Sequence, residues 1–405
     1  MPSETQLSRY AEVAIRTGVN LQPGQALLIL APLETFPLVR ALTEEAYRAG
    51  ASLVRALYED QNALLIRIQE SDPAYLDRVA AWEIAGLERA LQEGAALLSV
   101  VAPDPDLLAS VDPARLATVQ RAGALAGLPV GKIISGMRIN WSVIAASTAR
   151  WAQKIYPGDP NGEERLWQTL FRLTRTDQPD PVASWRTHLD RLGEITSYLN
   201  ARSYQALRLR GPGTDLQVGL PTGHRWLGGS TRCANGVETV PNLPTEEVFT
   251  APDRGRVEGS ARSTKTLMLN GQPIEGLEVR FREGQALEVR AQRGEELIRS
   301  WIATDPGACR LGEVALVSVD SPVYTEKTLF LNTLLDENAA CHLAFGRCYP
   351  PCLPAASNDQ DLEAAGGNLS SVHTDWMVGS EELSVFGVGT DGKEEPLLGS
   401  GSWVI

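Results

Sequence analysis

The sequence predicts two domains: an α/β N-terminal domain with a parallel sheet over residues 1–200, followed by a mostly antiparallel α+β C-terminal domain over residues 201–405. In the first half, apolar runs of strand length alternate with stretches of helical spacing, which is the pattern of βαβ units and a parallel sheet. In the second half, short β-type runs are separated by Gly, Pro and Asp, which is typical of antiparallel sheets. With 405 residues, 43% of them hydrophobic, the chain can bury two cores.

The elements of the first half follow one another with short links. Apolar residues at helical spacing define the helices, and continuous apolar runs after turn signals define the strands. In order, we predict a helix at 4–16, a strand at 25–31, a helix at 34–48, a strand at 52–58, a helix at 73–93, a strand at 95–101, and helices at 113–126, 161–173 and 183–199. The last two helices would lead into the second domain.

In the second half, turn signals indicate hairpins. Asn270-Gly271 is a strong two-residue turn signal, and Arg282-Glu283-Gly284 is a weaker one. Helical spacing also predicts a helix at 294–304 and a second one across 338–346. The β-type runs between these elements would form the antiparallel sheets of the C-terminal domain.

Composition excludes several kinds of partner. The net charge of -13 argues against nucleic acid and against an anionic membrane surface, since both are bound through basic residues. The first residues do not have the pattern of a signal peptide, and no apolar run is long enough to span a bilayer. Five cysteines form an odd set without an export signal, which favours reduced thiols in the cytoplasm over a disulfide framework.

Four short stretches of the second half carry acids or histidines among apolar residues. The first, residues 242–250, holds the adjacent pair Glu246 and Glu247, which would project to opposite sides of an extended segment. The second, residues 311–320, opens a buried-type strand with Glu313, where a carboxylate needs a cation or hydrogen-bond partners. Taken singly, each of these acids also fits an ordinary solvated position.

The third stretch, LNTLLDENAACHLAFGRCYP, places His342 between apolar residues. The acid pair Asp336 and Glu337 precedes this histidine, and Tyr349 follows it. The histidine sits in an Ala- and Leu-rich environment that gives a polar ring few partners. We therefore interpret His342 as a metal ligand.

The fourth stretch, SVHTDWMV, places His373 and Asp375 two residues apart, so that an extended backbone projects both side chains from one face. A lone histidine is more often a hydrogen-bonded core or surface residue than a ligand. Here two of the four histidines in the chain each lie within five residues of an acid, which favours a role as ligands. The other two, His188 and His224, lack acidic neighbours at ligand spacing and are predicted to be structural.

Together the four stretches offer carboxylate and imidazole donors that suit zinc, cobalt, manganese or magnesium. Five or six ligands exceed what one tetrahedral ion uses. The set therefore fits two divalent metal ions per chain that share a bridging carboxylate, an arrangement found in aminopeptidases, phosphatases and nucleases.

The same stretches resemble successive motifs of the aminopeptidase T family of two-metal aminopeptidases. The resemblance rests on NLPTEEVFTAPD, LGEVALVSVDSP, LDENAACHLAFG with the following Tyr349-Pro350, and NLSSVHTDWMVGS, in that order. It implies that residues 201–405 form the metal-binding catalytic domain. Trp376 stands where the family is expected to have Phe, and it would narrow the substrate pocket.

The resemblance implies a role for each candidate residue. Glu313 would bridge both ions, Tyr349 would be the catalytic tyrosine, and Glu246, next to a ligand, is a candidate for proton transfer or for support of that ligand. The implied metal ligands are Glu247, Glu313, Glu337, His342, His373 and Asp375.

The resemblance implies a metallo-aminopeptidase that releases N-terminal residues from short peptides with a free N-terminus, by a bridging hydroxide held between the two metals. A homodimer is also implied, with the N-terminal domain restricting entry to the site. The alternatives are another two-metal hydrolase, such as an amidase or a phosphoesterase, and a non-catalytic binding protein stabilised by metal. A phosphoesterase would require Arg or Lys beside the metals, and the third stretch has only Arg347.

Overall fold

The computed structural model describes residues 2–108, 110–269 and 271–405. The chain forms two compact units. Unit 1 comprises the residues up to Thr187 together with Ser230–Pro244, and unit 2 comprises His188–Gly229 and Thr245–Ile405. Each unit therefore contains two separate segments of the chain.

The helices and strands of the described residues are numbered in chain order. The helices are α1 (Glu4–Glu12), α2 (Phe36–Arg48), α3 (Gln61–Glu70), α4 (Ala81–Gln92), α5 (Pro113–Ser135), α6 (Ala149–Ile155), α7 (Gly162–Leu173), α8 (Pro181–Arg202), α9 (Glu295–Ile302), α10 (Pro322–Thr325), α11 (Thr333–Asp336) and α12 (Asp359–Ala364). The strands are β1 (Ala26–Pro32), β2 (Leu53–Glu59), β3 (Ala96–Val101), β4 (Trp141–Ala145), β5 (Ala206–Gly211), β6 (Thr214–Gly219), β7 (Leu227–Gly228), β8 (Thr231–Arg232), β9 (Glu238–Thr239), β10 (Asn242–Leu243), β11 (Val248–Thr250), β12 (Val257–Arg262), β13 (Leu267–Leu269), β14 (Gln272–Ile274), β15 (Glu278–Arg282), β16 (Gln285–Arg290), β17 (Leu311–Leu316), β18 (His342–Gly346), β19 (His373–Met377), β20 (Ser384–Val388), β21 (Glu394–Gly399) and β22 (Ser402–Trp403).

Unit 1 is built on the predicted parallel sheet. Its strand order is β10-β4-β3-β1-β2, and every neighbouring pair is parallel. The central strands are buried runs, as expected for a sheet whose faces are covered by helices. The segment Ser230–Pro244 adds β10 to the edge of this sheet.

The structure corrects several element boundaries in unit 1. Helix α5 continues past residue 126, where the sequence predicts its end, and contains Pro129. An interior proline has a helical φ but loses a main-chain hydrogen bond and crowds the preceding turn, which is why the sequence favours an earlier end. Helices α3 and α6 and strand β4 are not predicted from the sequence. Helix α3 begins at a recognisable cap, since the Asp60 carboxylate accepts hydrogen bonds from the N–H groups of Asn62 and Ala63.

Unit 2 contains two large antiparallel sheets and the two-stranded sheet β13-β14. One has eight strands in the order β16-β15-β12-β6-β5-β20-β21-β22, and the other has five in the order β19-β18-β17-β11-β7. Side chains of both sheets, such as Leu216 and Val218 from the first and Val314 and Leu343 from the second, belong to one buried cluster. This arrangement confirms the predicted mostly antiparallel domain.

The weaker hairpin signal proves correct. Strands β15 and β16 pair through the two-residue turn Glu283-Gly284, in which both residues have positive φ. A Cβ on Gly284 would lie 1.8 Å from the carbonyl oxygen of Arg254, so only glycine fits there. At the other signal, β13 and β14 pair as a hairpin, but Asn270 itself lies outside the described residues.

The predicted helix across residues 338–346 is wrong. The chain leaves helical geometry after Ala339, and His342 begins strand β18. The stretch is rich in Ala and Leu, which favour helices, but pairing with β17 on one side and β19 on the other overrides that local preference. No helix in the described part of the chain is both long and apolar enough to cross a membrane.

Candidate metal centre

Strand register brings four of the predicted ligands to one face of the five-stranded sheet. Ala344 on β18 pairs with Glu313 on one side and with Asp375 on the other. His342 and His373 each lie two residues before Ala344 and Asp375, respectively. Because side chains two residues apart on a strand point to the same face, the two histidines join the two carboxylates there.

The opposite face of these strands belongs to the core. Leu343 pairs with Val314 and with Trp376, and all three are fully buried. The Trp376 ring stacks on Phe345 with 5.5 Å between centroids. Trp376 therefore points away from the ligands, and the expectation that it narrows a pocket beside the metals is wrong.

A first group of donors surrounds His342. Its Nε2 lies 3.2 Å from Glu247 Oε2 and 3.6 Å from Glu313 Oε1. Glu247 reaches this face because it stands two residues before Phe249, which pairs with Ala315 beside the ligands. The donor atoms of the group lie within 4.8 Å of one another, which suits a single cation.

A second group shares Glu313 with the first. His373 Nε2 lies 3.6 Å from Glu313 Oε2 and 3.3 Å from Asp375 Oδ1. These donors also lie within 4.8 Å of one another. The His373 side chain is 31% exposed, whereas that of His342 is 1% exposed, so solvent reaches the second group through His373, and the carboxylates of both groups stay buried.

Main-chain carbonyls orient both histidines. Nδ1 of His342 lies 3.2 Å from the Ala340 oxygen, and Nδ1 of His373 lies 2.8 Å from the Arg347 oxygen. A carbonyl can only accept a hydrogen bond, so each Nδ1 carries a proton and donates it. In a neutral ring, Nε2 then presents its lone pair to the carboxylates, as a metal ligand must.

The carboxylates create a strongly negative potential at the two rings. Partial burial disfavours a protonated His373, yet the Asp375 and Glu313 carboxylates raise its pKa to about 10. His342 is affected in the same way: burial is outweighed by Glu247 and Glu313, which raise its pKa well above the ordinary value. The same negative potential would attract a cation to this face.

The donor set fits divalent cations. Burial, together with repulsion from Glu247 and Asp375, raises the pKa of Glu337 well above its usual value, so Glu337 shares the same potential. Glu247 Oε2 is buried and accepts no hydrogen bond from the described residues. The three carboxylates of the two donor groups, and Glu337 that interacts with them, need compensating positive charge in a buried site. Glu247, Glu313, Glu337 and His342 would face such ions together with the His373 and Asp375 pair.

Glu246 has different neighbours from Glu247. Its main-chain N–H donates to Asn338 Oδ1 at 2.7 Å, and its Oε2 lies 3.5 Å from His188 Nε2. The same ring nitrogen lies 2.8 Å from the Thr245 carbonyl oxygen, which accepts its proton. The adjacent acids thus have separate surroundings, and His188 has the acidic neighbour that its sequence context lacks.

Tyr349 lies near the ligands and is not itself ionised. Its ring packs edge-on against Phe249, with 5.8 Å between centroids. Burial, followed by the nearby carboxylates of Glu313, Glu337 and Glu247, raises its pKa above the ordinary value. Its hydroxyl therefore keeps its proton and can act as a hydrogen-bond donor.

Two other residues weighed in the sequence have structural partners. Asp336 accepts hydrogen bonds from the N–H groups of Phe330 at 2.7 Å and Asn332 at 3.0 Å, and burial raises its pKa to about 6. Nδ1 of His224 donates to the Pro221 carbonyl at 2.8 Å. Asp336 thus holds the preceding loop, and His224 has the structural role that the sequence predicts.

Sequence reasoning did not single out Asn338 or Asp305, and it gave His188 a structural role without finding its acidic neighbour Glu246. Asn338 could have been noticed, since it directly follows the acid pair. Asp305 could not, because it contacts Ser371, which is 66 positions away in the sequence. Only the folded chain brings such residues together.

Comparison with known proteins gives a consistent result. The profile of the thermophilic metalloprotease family M29 matches residues 3–403. Aminopeptidase T of Thermus thermophilus is 46% identical to this chain over 401 residues, with 98% of each chain covered. Aminopeptidase 2 of Geobacillus stearothermophilus is 44% identical over 405 residues, with 99% of this chain and 98% of the relative covered. The solved structure of wild-type AmpT from Thermus thermophilus superposes with a TM-score of 0.94 at 44% identity, covering 99% of both chains.

Proposed function

This chain belongs to the thermophilic metalloprotease family M29, and from that premise we propose that it is an aminopeptidase whose centre holds two divalent ions bridged by Glu313. It is a metal-dependent hydrolase of the exopeptidase class, in keeping with its named relatives. The proposed ligands are Glu247 and His342 for one ion, and His373 and Asp375 for the other. Glu337 would supply a further oxygen.

One observation carries the two-ion proposal: the two oxygens of Glu313 face different histidines. Oε1 lies 3.6 Å from His342, and Oε2 lies 3.6 Å from His373. A carboxylate placed in this way can ligate two cations at once. Two donor groups sharing that one residue match the arrangement of two-metal hydrolases.

Charge balance supports the same number of ions. The two donor groups contain three carboxylates, from Glu247, Glu313 and Asp375, and the Glu337 carboxylate interacts with them. When all four are ionised, they carry four negative charges. Two divalent cations would neutralise them while both imidazoles stay neutral. One divalent cation would leave two buried carboxylates uncompensated, which is costly in a low-dielectric site.

The protein groups would divide the chemistry among them. When bound, the ions would lower the pKa of a shared water toward neutrality and polarise the scissile carbonyl. The Tyr349 hydroxyl, kept protonated by burial, would donate a hydrogen bond to the developing oxyanion or to the leaving nitrogen. Glu246 would transfer a proton or support Glu247, with His188 and Asn338 fixing its position.

Substrate selection would follow from the solvent-exposed half of the centre. A peptide with a free, neutral N-terminal amine could place that amine beside His373 and Asp375, whereas an internal peptide bond has no such group. This would explain the release of N-terminal residues rather than internal cleavage. Zinc, cobalt, manganese and magnesium all suit the mixed oxygen and nitrogen donors.

A phosphoesterase is less well supported by the surroundings of the ligands. The Arg347 guanidinium, the basic group that the third stretch offers, forms an ion pair with Asp359 at 2.5 Å. That pairing leaves it poorly placed to bind phosphate oxygens. A non-catalytic binding protein would use the same ligands with closed coordination, and it would cleave no peptide.

The test combines metal analysis with hydrolysis of leucyl-peptide and arylamide substrates, with and without added cobalt or zinc. We expect two ions per chain and release of the N-terminal residue. Two ions without such release would refute the aminopeptidase function. One ion per chain in the active enzyme would refute the bridging role of Glu313.

We also propose that the protein acts as a homodimer in the cytoplasm. The five cysteines are free thiols in the structure, which suits a reducing compartment. Light scattering after size exclusion would give the mass in solution, for which a 43.8 kDa chain sets the monomer value. A monomeric mass at working concentration would refute the dimer.

A further inference from the structure

The Asp305 carboxylate ties together two loops of unit 2. Its Oδ1 accepts hydrogen bonds from the N–H groups of Gly307 and Ala308, both at 2.9 Å. Its Oδ2 accepts three more: from the Ser370 hydroxyl at 3.0 Å, the Ser371 N–H at 2.8 Å and the Ser371 hydroxyl at 2.7 Å. Five donors on one carboxylate form a rigid junction between these loops.

The second of these loops leads directly to a proposed ligand. Ser371 stands two residues before His373, the first residue of β19. Beside it, Asn368 is buried and donates from Nδ2 to the carbonyls of Gly307 at 2.8 Å and Gly346 at 2.6 Å. Hydrogen bonds from Asn368 and to Asp305 thus hold the loop that precedes His373.

The two histidines differ in how much the sheet itself holds them. His342 lies on β18, which pairs on both sides, with β17 and with β19. His373 opens β19, which is the edge strand of that sheet and pairs with β18 alone within it. An edge position leaves one side of the strand without sheet partners, so His373 depends more on its flanking loop.

The charge of Asp305 suits this role. Although burial opposes ionisation, the hydrogen bonds from Ser371, Ser370 and Gly307 lower its pKa to about 2. An ionised carboxylate accepts from several donors at once, and such bonds are stronger than neutral ones. An amide cannot replace it, because its nitrogen accepts no hydrogen bond.

We propose that Asp305 is a positioning residue of the metal centre: by holding Ser370 and Ser371 it keeps His373 in place for the ion shared with Glu313 and Asp375. The inference rests on the two-ion centre proposed above. It predicts that Asp305 sets the affinity of one ion and not of the other, since Glu247 and His342 are held by other strands.

The experiment compares Asp305→Asn with Asp391→Asn in the full-length protein. Asp391 also accepts a main-chain N–H, that of Lys393 at 3.1 Å, but it lies in the turn between β20 and β21. Metal-free proteins are titrated with Co²⁺, with calorimetry and visible absorption as readouts. We expect one ion to bind about tenfold more weakly in Asp305→Asn, with the other unchanged. Asp391→Asn should match the wild type.

If both ions bind to Asp305→Asn with their wild-type affinities, the inference is overturned. Equal weakening of both ions relative to the wild type would also overturn it, because it would indicate a general loss of structure. If Asp305→Asn does not fold, Ser371→Ala serves in its place, since it removes one hydrogen bond to Asp305. It should weaken the binding of the same ion to a smaller degree, and an unchanged affinity would overturn the inference. A wild-type chain that binds a single ion would refute the two-ion proposal by itself. The Asp305 inference would then be judged by whether Asp305→Asn weakens that ion.

Discussion

Replacing Tyr349 by phenylalanine isolates one hydroxyl group of the proposed mechanism. The ring should stay in place, because its edge-on contact with Phe249 at 5.8 Å involves only the aromatic surface. Within the described residues, the hydroxyl forms no hydrogen bond to a protein acceptor. Its removal therefore leaves no buried partner unpaired, and folding stability should change by less than about 1 kcal/mol.

The expected loss lies in turnover. Removing a single donor to a developing oxyanion typically lowers kcat by about 10² to 10³, equivalent to about 2.7–4 kcal/mol of transition-state stabilisation. Because the phenol is not a ligand of either donor group, the metal content of Tyr349→Phe should equal that of the wild type. Burial and nearby carboxylates raise the pKa of Tyr349, so the lower kcat should not depend on pH in the neutral range.

The assay measures kcat and KM for a leucyl arylamide, metal content after dialysis, and the thermal unfolding temperature. Wild-type kcat in a fully metallated Tyr349→Phe enzyme would remove Tyr349 from the mechanism. A variant that loses metal as well would show that the tyrosine supports the ligands, contrary to our reasoning. Phe249→Leu serves as a control for disturbed packing around the ring.

Three further outcomes are expected. Glu313→Ala should lower the affinity for both ions, whereas His342→Ala should lower the affinity for only one, as shown by the number of ions bound per chain. The same number of ions lost in the two variants would contradict a bridging Glu313. Co²⁺ binding should tighten as pH rises from about 6 to about 9, because the pKa of His373 is raised to about 10 and its proton must leave when metal binds. Calorimetry in buffers of different ionisation enthalpy should detect that proton release. Co²⁺ affinity that does not change with pH would contradict this expectation. Trp376→Phe should leave the ratio of kcat/KM between small and large N-terminal residues unchanged, since the ring lies on the face away from the ligands, and a changed ratio would refute that assignment.

Much of the fold could be predicted from local patterns. The apolar runs that became β1, β2 and β3 are flanked by turns and helices, so their pairing in a parallel sheet followed from the alternation itself. The helix prediction for residues 338–346 was wrong for a physical reason. The Ala and Leu residues of this stretch favour a helix, but strands β17 and β19 pair with it on both sides. Local propensity does not contain that information.

The candidate site divides in the same way. His373 and Asp375 could be paired from the sequence because two-residue spacing on a strand has a fixed geometric meaning. The meeting of Glu247 with His342 across 95 positions required the register of β11, β17 and β18. The support given by Asp305 to the loop before His373 depends on loop packing, for which sequence periodicity has no signal.

The carbonyl partners of the two histidines affect how this centre can change by mutation. In many metal sites a carboxylate side chain orients the ligand histidine, so one substitution can release the ring. Here the acceptors are the main-chain oxygens of Ala340 and Arg347, which any residue at those positions would supply. Natural variation or laboratory evolution should therefore change the metal affinity of this centre through its acidic residues. His342 and His373 should both keep the tautomer that is protonated at Nδ1 across a wide range of neighbouring sequences.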